Sequence, residues 1–329
     1  MAKRYITYYD YKLYDELQDD KGVVRLTNEA IGGQSEKMFV RFNSELLTDF
    51  FADISKGNTS YVTYLDDIAP EYAKTGKAPL KAVSLLMKMY SSDCKYGSME
   101  DMGSRVGNLL GIPVVYNKLQ KCGSVNFLLS IDYMKFAPNI KYGTIEGDYY
   151  TAPHEGHNHY TYSNWLDFFD RSVLKNRYTG KLLNDNQILQ ILRGFTPSYF
   201  FRKYILEDTD FDLYNMGIIY DEATGKYSFG PNYDMERAMV KKNRINQDFE
   251  INLPNDIQEA FEMFPNEMKA FMDRLKFVQQ NNLINHELLK NISSKFSRRK
   301  IIKRLNNNID SVCLAYDMYR AKVKDNEGM

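Results

Sequence analysis

Residues 208–234 read DTDFDLYNMGIIYDEATGKYSFGPNYD, and this segment carries the strongest structural signal in the chain. Asp210 and Asn215 are five residues apart and begin a probable loop. Two short apolar segments then flank the turn sequence EATGK, a pattern that predicts a β-hairpin. Because a hairpin returns the chain to its starting point, we expect Asp234 to lie beside Asn215. The alternative is an ordinary surface hairpin with polar loop residues.

Three converging oxygen-bearing side chains suit a hard cation such as Mg²⁺. An Asp, an Asn five residues later and a second Asp after a hairpin are the oxygen-bearing residues that kinase-like enzymes use. The first Asp orients or deprotonates the acceptor hydroxyl, and the Asn and the second Asp hold Mg²⁺ on ATP. Phosphoryl transfer asks the protein mainly for positioning and charge neutralisation. The segment therefore predicts a phosphotransferase.

The whole chain sets limits on the possible partners. Its 329 residues suffice for one large two-lobed domain or two small ones. Lys plus Arg and Asp plus Glu number 43 each, so no basic field predicts direct contact with nucleic acid. No apolar run approaches the roughly 20 residues of a membrane span, and the N-terminus lacks the apolar stretch of a signal peptide. We predict no membrane contact and a cytoplasmic setting, with delivery as an effector left open.

Secondary-structure signals change near residue 135. Before residue 135, β-rich segments at 23–26 and 37–42 are followed by predicted helices and further strands. After residue 135, residues 139–163 are predicted to form a loop. The predicted helices of the first part lie at 44–56, 79–91 and 98–110, and its later strands at 114–119 and 124–134. The helices of the second part lie at 165–173, 185–193, 197–206, 256–264, 266–280, 286–292 and 297–324. We predict an α+β protein with a mixed α/β N-lobe over 1–134 and a mainly helical C-lobe over 135–329.

The segment TDFDLYNMGIIYDEATGKYSFGPNYD resembles the catalytic segment of HipA-like Ser/Thr protein kinases. That family shows an Asp-x-His-x-x-Asn-x-Gly element, a short hairpin and a Pro-x-(Tyr/Phe)-Asp element. The resemblance implies a two-lobed protein-kinase-like fold, ATP and Mg²⁺ as cofactors, and a protein Ser/Thr substrate, with autophosphorylation as well. It implies Asp210 as the catalytic residue and Asn215 and Asp234 as metal ligands. The chain departs from the family at Asp212, where His is common.

The first half of the chain extends this resemblance. SMEDMGSRVGNLLGIPVV is similar to the family's helix whose Glu pairs with the phosphate-binding base, and Glu100 is the matching residue. Its position, eleven residues before Gly111, is that of the shorter CtkA-like type. SVNFLLSIDYMKF resembles the strand that leads into the hinge. There the backbone of Ile131 and Tyr133 is expected to bind adenine.

The phosphate-binding residue is open between two registers of IGGQSEKMFVRF. In one, MFVRF is the strand that usually ends in Val-Lys-Phe, and Arg41 stands in place of the Lys. In the other, IGGQSEK is a glycine-containing loop over the phosphates, with Gly32 and Gly33 in the loop and Lys37 following it. A plain β-turn is the alternative for this loop. Because the family can be inactivated by phosphorylation of a Ser near the loop, Ser35 is a candidate autophosphorylation site.

Other functions stay open at this stage. Arg41 and Asp212, which depart from the family pattern, favour a pseudokinase or nucleotide-binding regulator. A helical toxin- or effector-like interaction protein that binds through 253–325 is the alternative from another class. The resemblance implies a protein substrate and leaves room for an antitoxin-like or regulatory partner.

Three of the four histidines lie within six residues, at His154, His157 and His159. This spacing is able to bind Zn²⁺ or Ni²⁺. The neighbouring Tyr, Pro and Gly residues favour a loop without metal. Both interpretations remain open.

Overall fold

Two antiparallel sheets and six α-helices form the part of the computed structural model that is described, which comprises residues 24–25, 37–42, 83–90, 95–122, 125–131, 140–149, 161–171, 174–239, 245–290, 292 and 295–327. The strands are β1 Val24–Arg25, β2 Lys37–Phe42, β3 Val83–Tyr90, β4 Asn117–Cys122, β5 Val125–Ile131, β6 Ile140–Thr144, β7 Gly217–Asp221 and β8 Lys226–Phe229. The helices are α1 Lys95–Leu109, α2 Tyr162–Arg171, α3 Asp185–Phe200, α4 Ile245–Met263, α5 Pro265–Gln280 and α6 Lys295–Glu327. This architecture confirms the predicted α+β class. Within these residues, no helix has the length and apolar character needed to cross a membrane.

The first sheet has the order β1-β2-β3-β5-β4, so β3 pairs with a neighbour on both sides. The predicted helix over 79–91 was wrong, because residues 83–90 form this central strand. A strand with neighbours on both edges and apolar residues on both faces gives a continuous apolar run, which periodicity alone does not separate from a buried helix. In the register of this sheet, Lys88 lies opposite Leu128 of β5 and Lys37 of β2.

Helix α1 confirms the prediction over 98–110, although it begins three residues earlier, at Lys95. It ends at Leu109, and Gly111 just after it has a positive φ of 72°, the left-handed conformation that favours glycine after a helix. The helix is fixed to the first sheet by a buried polar chain. Asn117 donates to the Ser104 hydroxyl at 2.7 Å, and Ser104 donates to the Val115 carbonyl at 2.9 Å.

The second sheet has the order β6-β7-β8. Strands β7 and β8 are the two arms of the predicted hairpin, which is confirmed. Asp221 stabilises its turn by accepting from the Ala223 amide at 2.9 Å and the Thr224 hydroxyl at 2.6 Å. The prediction of a loop over 139–163 was wrong at its start, because β6 occupies Ile140–Thr144 and a π-helical turn follows over Ile145–Tyr149.

Two other helix predictions were wrong. Residues 185–206 form α3 and a π-helical turn at Phe201–Ile205 in direct succession, with Pro197 inside the helix, rather than two separate helices. Residues 286–290 form hydrogen-bonded turns in place of the predicted helix over 286–292. The predicted helix over 44–56 lies outside the described residues.

Aromatic side chains dominate the buried core around α3. Its main members are Tyr162, Trp165, Phe169, Phe195, Tyr199 and Phe200. The same buried cluster includes Met102 and Val106 of α1. The core therefore joins α1 of the first half to the helices of the second.

Asp256 of α4 is a buried carboxylate that holds this core together. It accepts from the backbone N–H of Tyr162 at 3.1 Å and the Tyr199 hydroxyl at 2.5 Å, and it also binds the Tyr204 hydroxyl. Lys203 adds an ion pair at 3.3 Å. Burial raises the pKa of both phenols, so they keep the protons that they donate. One side chain thus ties α2, α3 and the π-helical turn to α4.

We expect Asp256→Ala to lower the free energy of unfolding by about 3 kcal/mol or more, because it leaves two buried hydroxyls without their acceptor. Chemical denaturation of the two proteins measures this difference. The control is Glu262→Ala, an exposed carboxylate of the same helix, for which we expect a change below about 0.5 kcal/mol. Equal effects of the two substitutions would contradict the role given to Asp256.

Candidate active site

A buried lysine between two carboxylates forms the centre of the candidate site. The Lys88 Nζ donates to Glu100 Oε2 at 2.7 Å and Oε1 at 3.0 Å, and to Asp234 Oδ1 at 2.8 Å. The side chains of Lys88 and Glu100 are 4% and 1% exposed, and that of Asp234 is 21% exposed. The Asp234 backbone N–H also donates to Glu100 Oε1 at 3.2 Å. Three segments that are distant in sequence thus meet at one ammonium group.

The charge of Lys88 is stable in this setting. Burial alone lowers the pKa of the ammonium, but the charges of Glu100 and Asp234 and their hydrogen bonds outweigh it, so the pKa is raised above its ordinary value. Lys88 is therefore a fixed positive charge at neutral pH and not a proton donor. Such a charge suits contact with an anion.

Close packing sets the distance between α1 and the segment that carries Asp234. A Cβ on Gly103 would lie 2.8 Å from the Met235 sulfur, and one on Gly107 would lie 2.4 Å from Val114. Asn232 fixes the same segment from the other side, because its backbone pairs with Pro113 and Val115 just after α1. Glu100 and Asp234 are held together by backbone packing as well as by Lys88.

The loop that carries Asp210 and Asn215 is ordered from within. The Asn215 Nδ2 donates to the Asp210 carbonyl at 2.8 Å, which leaves Oδ1 of the amide as the acceptor or ligand atom. Asp212 accepts from the N–H groups of Tyr214 at 3.0 Å and Asn215 at 3.1 Å, and so caps the short 3₁₀ turn Leu213–Asn215. Burial and the charge of Asp210 raise the pKa of Asp212.

Arg202 joins this loop to the Asp234 segment. Its Nη1 donates to the Tyr233 carbonyl at 2.7 Å, and its Nη2 lies 2.5 Å from Asp208 Oδ2. The side chains of Arg202 and Asp208 are both fully buried. The Tyr233 hydroxyl donates to the Tyr214 carbonyl at 3.0 Å. Burial raises the pKa of Tyr233 to about 12, so this phenol keeps its proton. The chain before Asp234 is thus fixed to the loop through Tyr233.

Several side chains of the site carry ligand atoms for a cation. Among the described His, Cys, Asp and Glu residues, one group of three was found with ligand atoms within 4.8 Å of one another: Glu100, Asp234 and Glu236. Glu100 and Asp234 already neutralise Lys88. The Asp234 carboxylate and the Asn215 amide each carry an oxygen of the hard kind that Mg²⁺ takes.

The other predicted site residues are placed as follows. Lys37 and Arg41 lie on β2, where their backbones pair with Lys88 and Ser84, and their side chains lie outside the described part of the structure. Ile131 is the last residue of β5. Gly32, Gly33, Tyr133, Ser35 and the histidine loop lie outside the described residues, so their roles stay predictions.

Sequence reasoning missed Lys88 and Arg202. Lys88 was missed because 79–91 was interpreted as a helix. The signal was the apolar alternation of Val83, Leu85, Met87 and Met89, which places Lys88 on the opposite face of a strand. Arg202 had no signal of its own, since it lies in an aromatic helical segment.

Comparison with solved structures gave several neighbours, two of which are described below. No protein-family model and no curated protein sequence matches the chain. The structure is similar to that of a Helicobacter pylori proinflammatory kinase, CtkA, with a TM-score of 0.47 and 13% identity over 71% of this chain and 92% of that chain. It is also similar to Shewanella oneidensis HipA from a toxin–antitoxin complex with HipB and operator DNA, with a TM-score of 0.39 and 8% identity over 72% of this chain and 59% of that one.

CtkA and HipA belong to the kinase family that the sequence motifs resemble. At such low identities and TM-scores the neighbours carry no argument about activity. The functional case rests on the contacts of this chain.

We expect a double-mutant cycle of Lys88→Met and Glu100→Gln to give a coupling energy of about 2 kcal/mol or more. Lys88→Met leaves the buried Glu100 carboxylate without its counter-charge, and Glu100→Gln leaves the buried Lys88 with Asp234 as its remaining carboxylate partner. Chemical denaturation of the four proteins measures it. The control cycle uses the exposed pair Lys269 and Asp273, for which we expect less than about 0.5 kcal/mol. Additive effects at Lys88 and Glu100 would contradict the buried contact.

Proposed function

We propose that this chain is an ATP- and Mg²⁺-dependent Ser/Thr protein kinase, which transfers the γ-phosphoryl group to a protein hydroxyl and also phosphorylates itself. The buried contact of Lys88 with Glu100 and Asp234 is the observation that carries the proposal. Kinases require a lysine on a central strand, a glutamate on the adjacent helix and an aspartate after a hairpin, all in place together. These three residue types meet here on β3, α1 and the segment after β8.

In this proposal the first sheet and α1 form the nucleotide-binding lobe, and the helical part forms the acceptor lobe, with the division near residue 134. Lys88 would bind the phosphates, and Glu100 would fix its position. The loop with Gly32 and Gly33 would cover the phosphates, and the backbone of Ile131 and Tyr133 would bind adenine. Lys88 takes the place of Arg41 as our proposed phosphate-binding base, because its charge is buried, paired and beside Asp234.

The donor set fits a hard cation. Asp234 and Asn215 would hold Mg²⁺, which when bound neutralises phosphate charge. Asp210 would orient the acceptor hydroxyl and take its proton as the new P–O bond forms. The buried Arg202 holds the Asp210 loop and the Asp234 segment in register. Little beyond positioning and charge is then required of the protein.

A regulatory partner of the antitoxin kind is proposed from the sequence resemblance alone, and a cytoplasmic or delivered role from the hydropathy pattern of the sequence. No contact in the described residues bears on them. The choice of protein substrate is likewise open to any accessible Ser or Thr.

We expect the purified protein to incorporate label from γ-labelled ATP only when Mg²⁺ is present. Lys88→Met, Asp210→Ala and Asp234→Ala should each lower the rate by roughly 10²-fold or more, since each removes a group that positions or neutralises the phosphoryl transfer. Asp273→Ala, at an exposed carboxylate of α5, is the control and should retain the wild-type rate. Circular dichroism verifies that each variant is folded.

The possible negative results have different meanings. ATP binding without label transfer by the wild type would favour a nucleotide-binding regulator. Neither binding nor transfer would refute the kinase proposal and favour a helical interaction protein. A wild-type rate in Asp234→Ala would refute the metal-binding role of that residue.

A further inference from the structure

The loop around Asp210 is acidic and has no cation of its own. Residues 206–215 read LEDTDFDLYN, with four carboxylates and neither Lys nor Arg. A transferred phosphoryl group beside Asp210 and Asp212 would meet like charge, which is unfavourable. A positive group from another segment is therefore needed at this position if transfer is to occur.

Two of the cations around the site are already engaged deep in the protein. Arg202 is fully buried against Asp208 and beneath the Phe211 ring, at 5.0 Å from its centroid. Lys88 is held between Glu100 and Asp234. In these positions Arg202 holds the fold of the Asp210 loop, and Lys88 lies where the nucleotide phosphates are proposed to bind.

Arg237 differs from them in place and in exposure. Its Nη1 lies 3.4 Å from Asp210 Oδ1, and the two side chains are 37% and 25% exposed. The contact is therefore open to solvent, where an acceptor hydroxyl and a phosphoryl group can reach it. Arg237 follows the proposed metal ligand Asp234 by three residues.

The turn that carries Arg237 is fixed to the same loop. The Met239 N–H donates to the Leu206 carbonyl at 3.0 Å, and Arg304 of α6 donates to the Met239 carbonyl at 3.1 Å. Arg304 also forms a two-pronged ion pair with the buried Glu207, at the start of the Asp210 loop. Helix α6 thus sets the position of Arg237 relative to Asp210.

We propose that Arg237 is a further catalytic residue, which contacts the transferred phosphoryl group and Asp210 at the same time. This proposal rests on the proposed kinase function. As the bond between the acceptor oxygen and the γ-phosphorus forms, the bond from that phosphorus to the ADP oxygen breaks, and the acceptor proton passes to Asp210. A guanidinium carries five N–H donors in a planar fork, so it can bind Asp210 with one and equatorial phosphoryl oxygens with others.

The test compares Arg237→Ala, Arg237→Gln and Arg237→Lys with the full-length wild type in Mg²⁺-dependent label transfer. We expect kcat to fall by about 10²- to 10³-fold in the Ala and Gln variants, with KM for ATP unchanged. Arg237→Lys should retain an intermediate rate, because an ammonium supplies charge without the fork. Methylguanidinium added at low millimolar concentration should restore part of the activity of Arg237→Ala.

Arg193→Ala is the matched control. Arg193 also meets a carboxylate at the surface, Glu267 at 3.7 Å, and it is 65% exposed. We expect a wild-type kcat for this variant and no effect of methylguanidinium. Both substitutions to Ala remove an arginine that forms an ion pair at the surface. A difference in kcat between the two variants therefore measures the catalytic contribution of Arg237.

Four outcomes decide the proposal. An active wild type with an equally active Arg237→Ala would overturn it. A kcat loss in the Ala and Gln variants without rescue by methylguanidinium would also overturn it and leave the contact as a loop-ordering ion pair. If Arg237→Ala does not fold, the Gln variant, which keeps most of the side chain, decides: a wild-type kcat in that variant overturns the proposal. A wild type that transfers no label overturns the kinase proposal and this one with it, whereas the other outcomes leave the kinase proposal intact.

Discussion

The buried ammonium of Lys88 is the constraint on which the rest of the site depends. A charge removed from water is costly unless it is paired and hydrogen-bonded. Glu100 and Asp234 satisfy that requirement with three contacts of 3.0 Å or less. Because the three residues lie on β3, on α1 and after the β7–β8 hairpin, the need to neutralise one charge brings the sheet, the helix and the hairpin segment to one point.

Backbone packing makes this arrangement possible. Gly103 and Gly107 let α1 approach Met235 and Val114 at distances that any Cβ would prevent. Arg202 forms a second buried ion pair with Asp208 and also donates to the Tyr233 carbonyl, so it joins the Asp210 loop to the Asp234 segment. Two buried cations thus order the two halves of the site, and the more exposed Arg237 reaches the position where chemistry is proposed to occur.

Local patterns in the sequence predicted the parts of the site that depend on local structure. The hairpin was predictable because turn residues separate two apolar segments, and α1 because Gly111 and Pro113 end it. The strand at 83–90 was missed although alternate residues in it are apolar, since Leu86 on its other face also fits a helix. Its central place in the sheet depends on pairing with β2 and β5, which are distant in sequence. That single error hid Lys88 and left the phosphate-binding residue open between Arg41 and Lys37. The contacts of Arg202 with Tyr233 and of Arg237 with Asp210 also join residues that are distant in sequence, and no local pattern reveals them.

The most direct measurement is a crystal structure of the protein with Mg²⁺ and a non-hydrolysable ATP analogue. We expect the phosphates beside Lys88, with Lys88 still bound to Glu100, and a metal ion about 2.0–2.1 Å from oxygen atoms of Asp234 and Asn215. Adenine should lie at the end of β5, near Ile131. A nucleotide bound elsewhere, or a metal ion that touches neither Asp234 nor Asn215, would contradict the account.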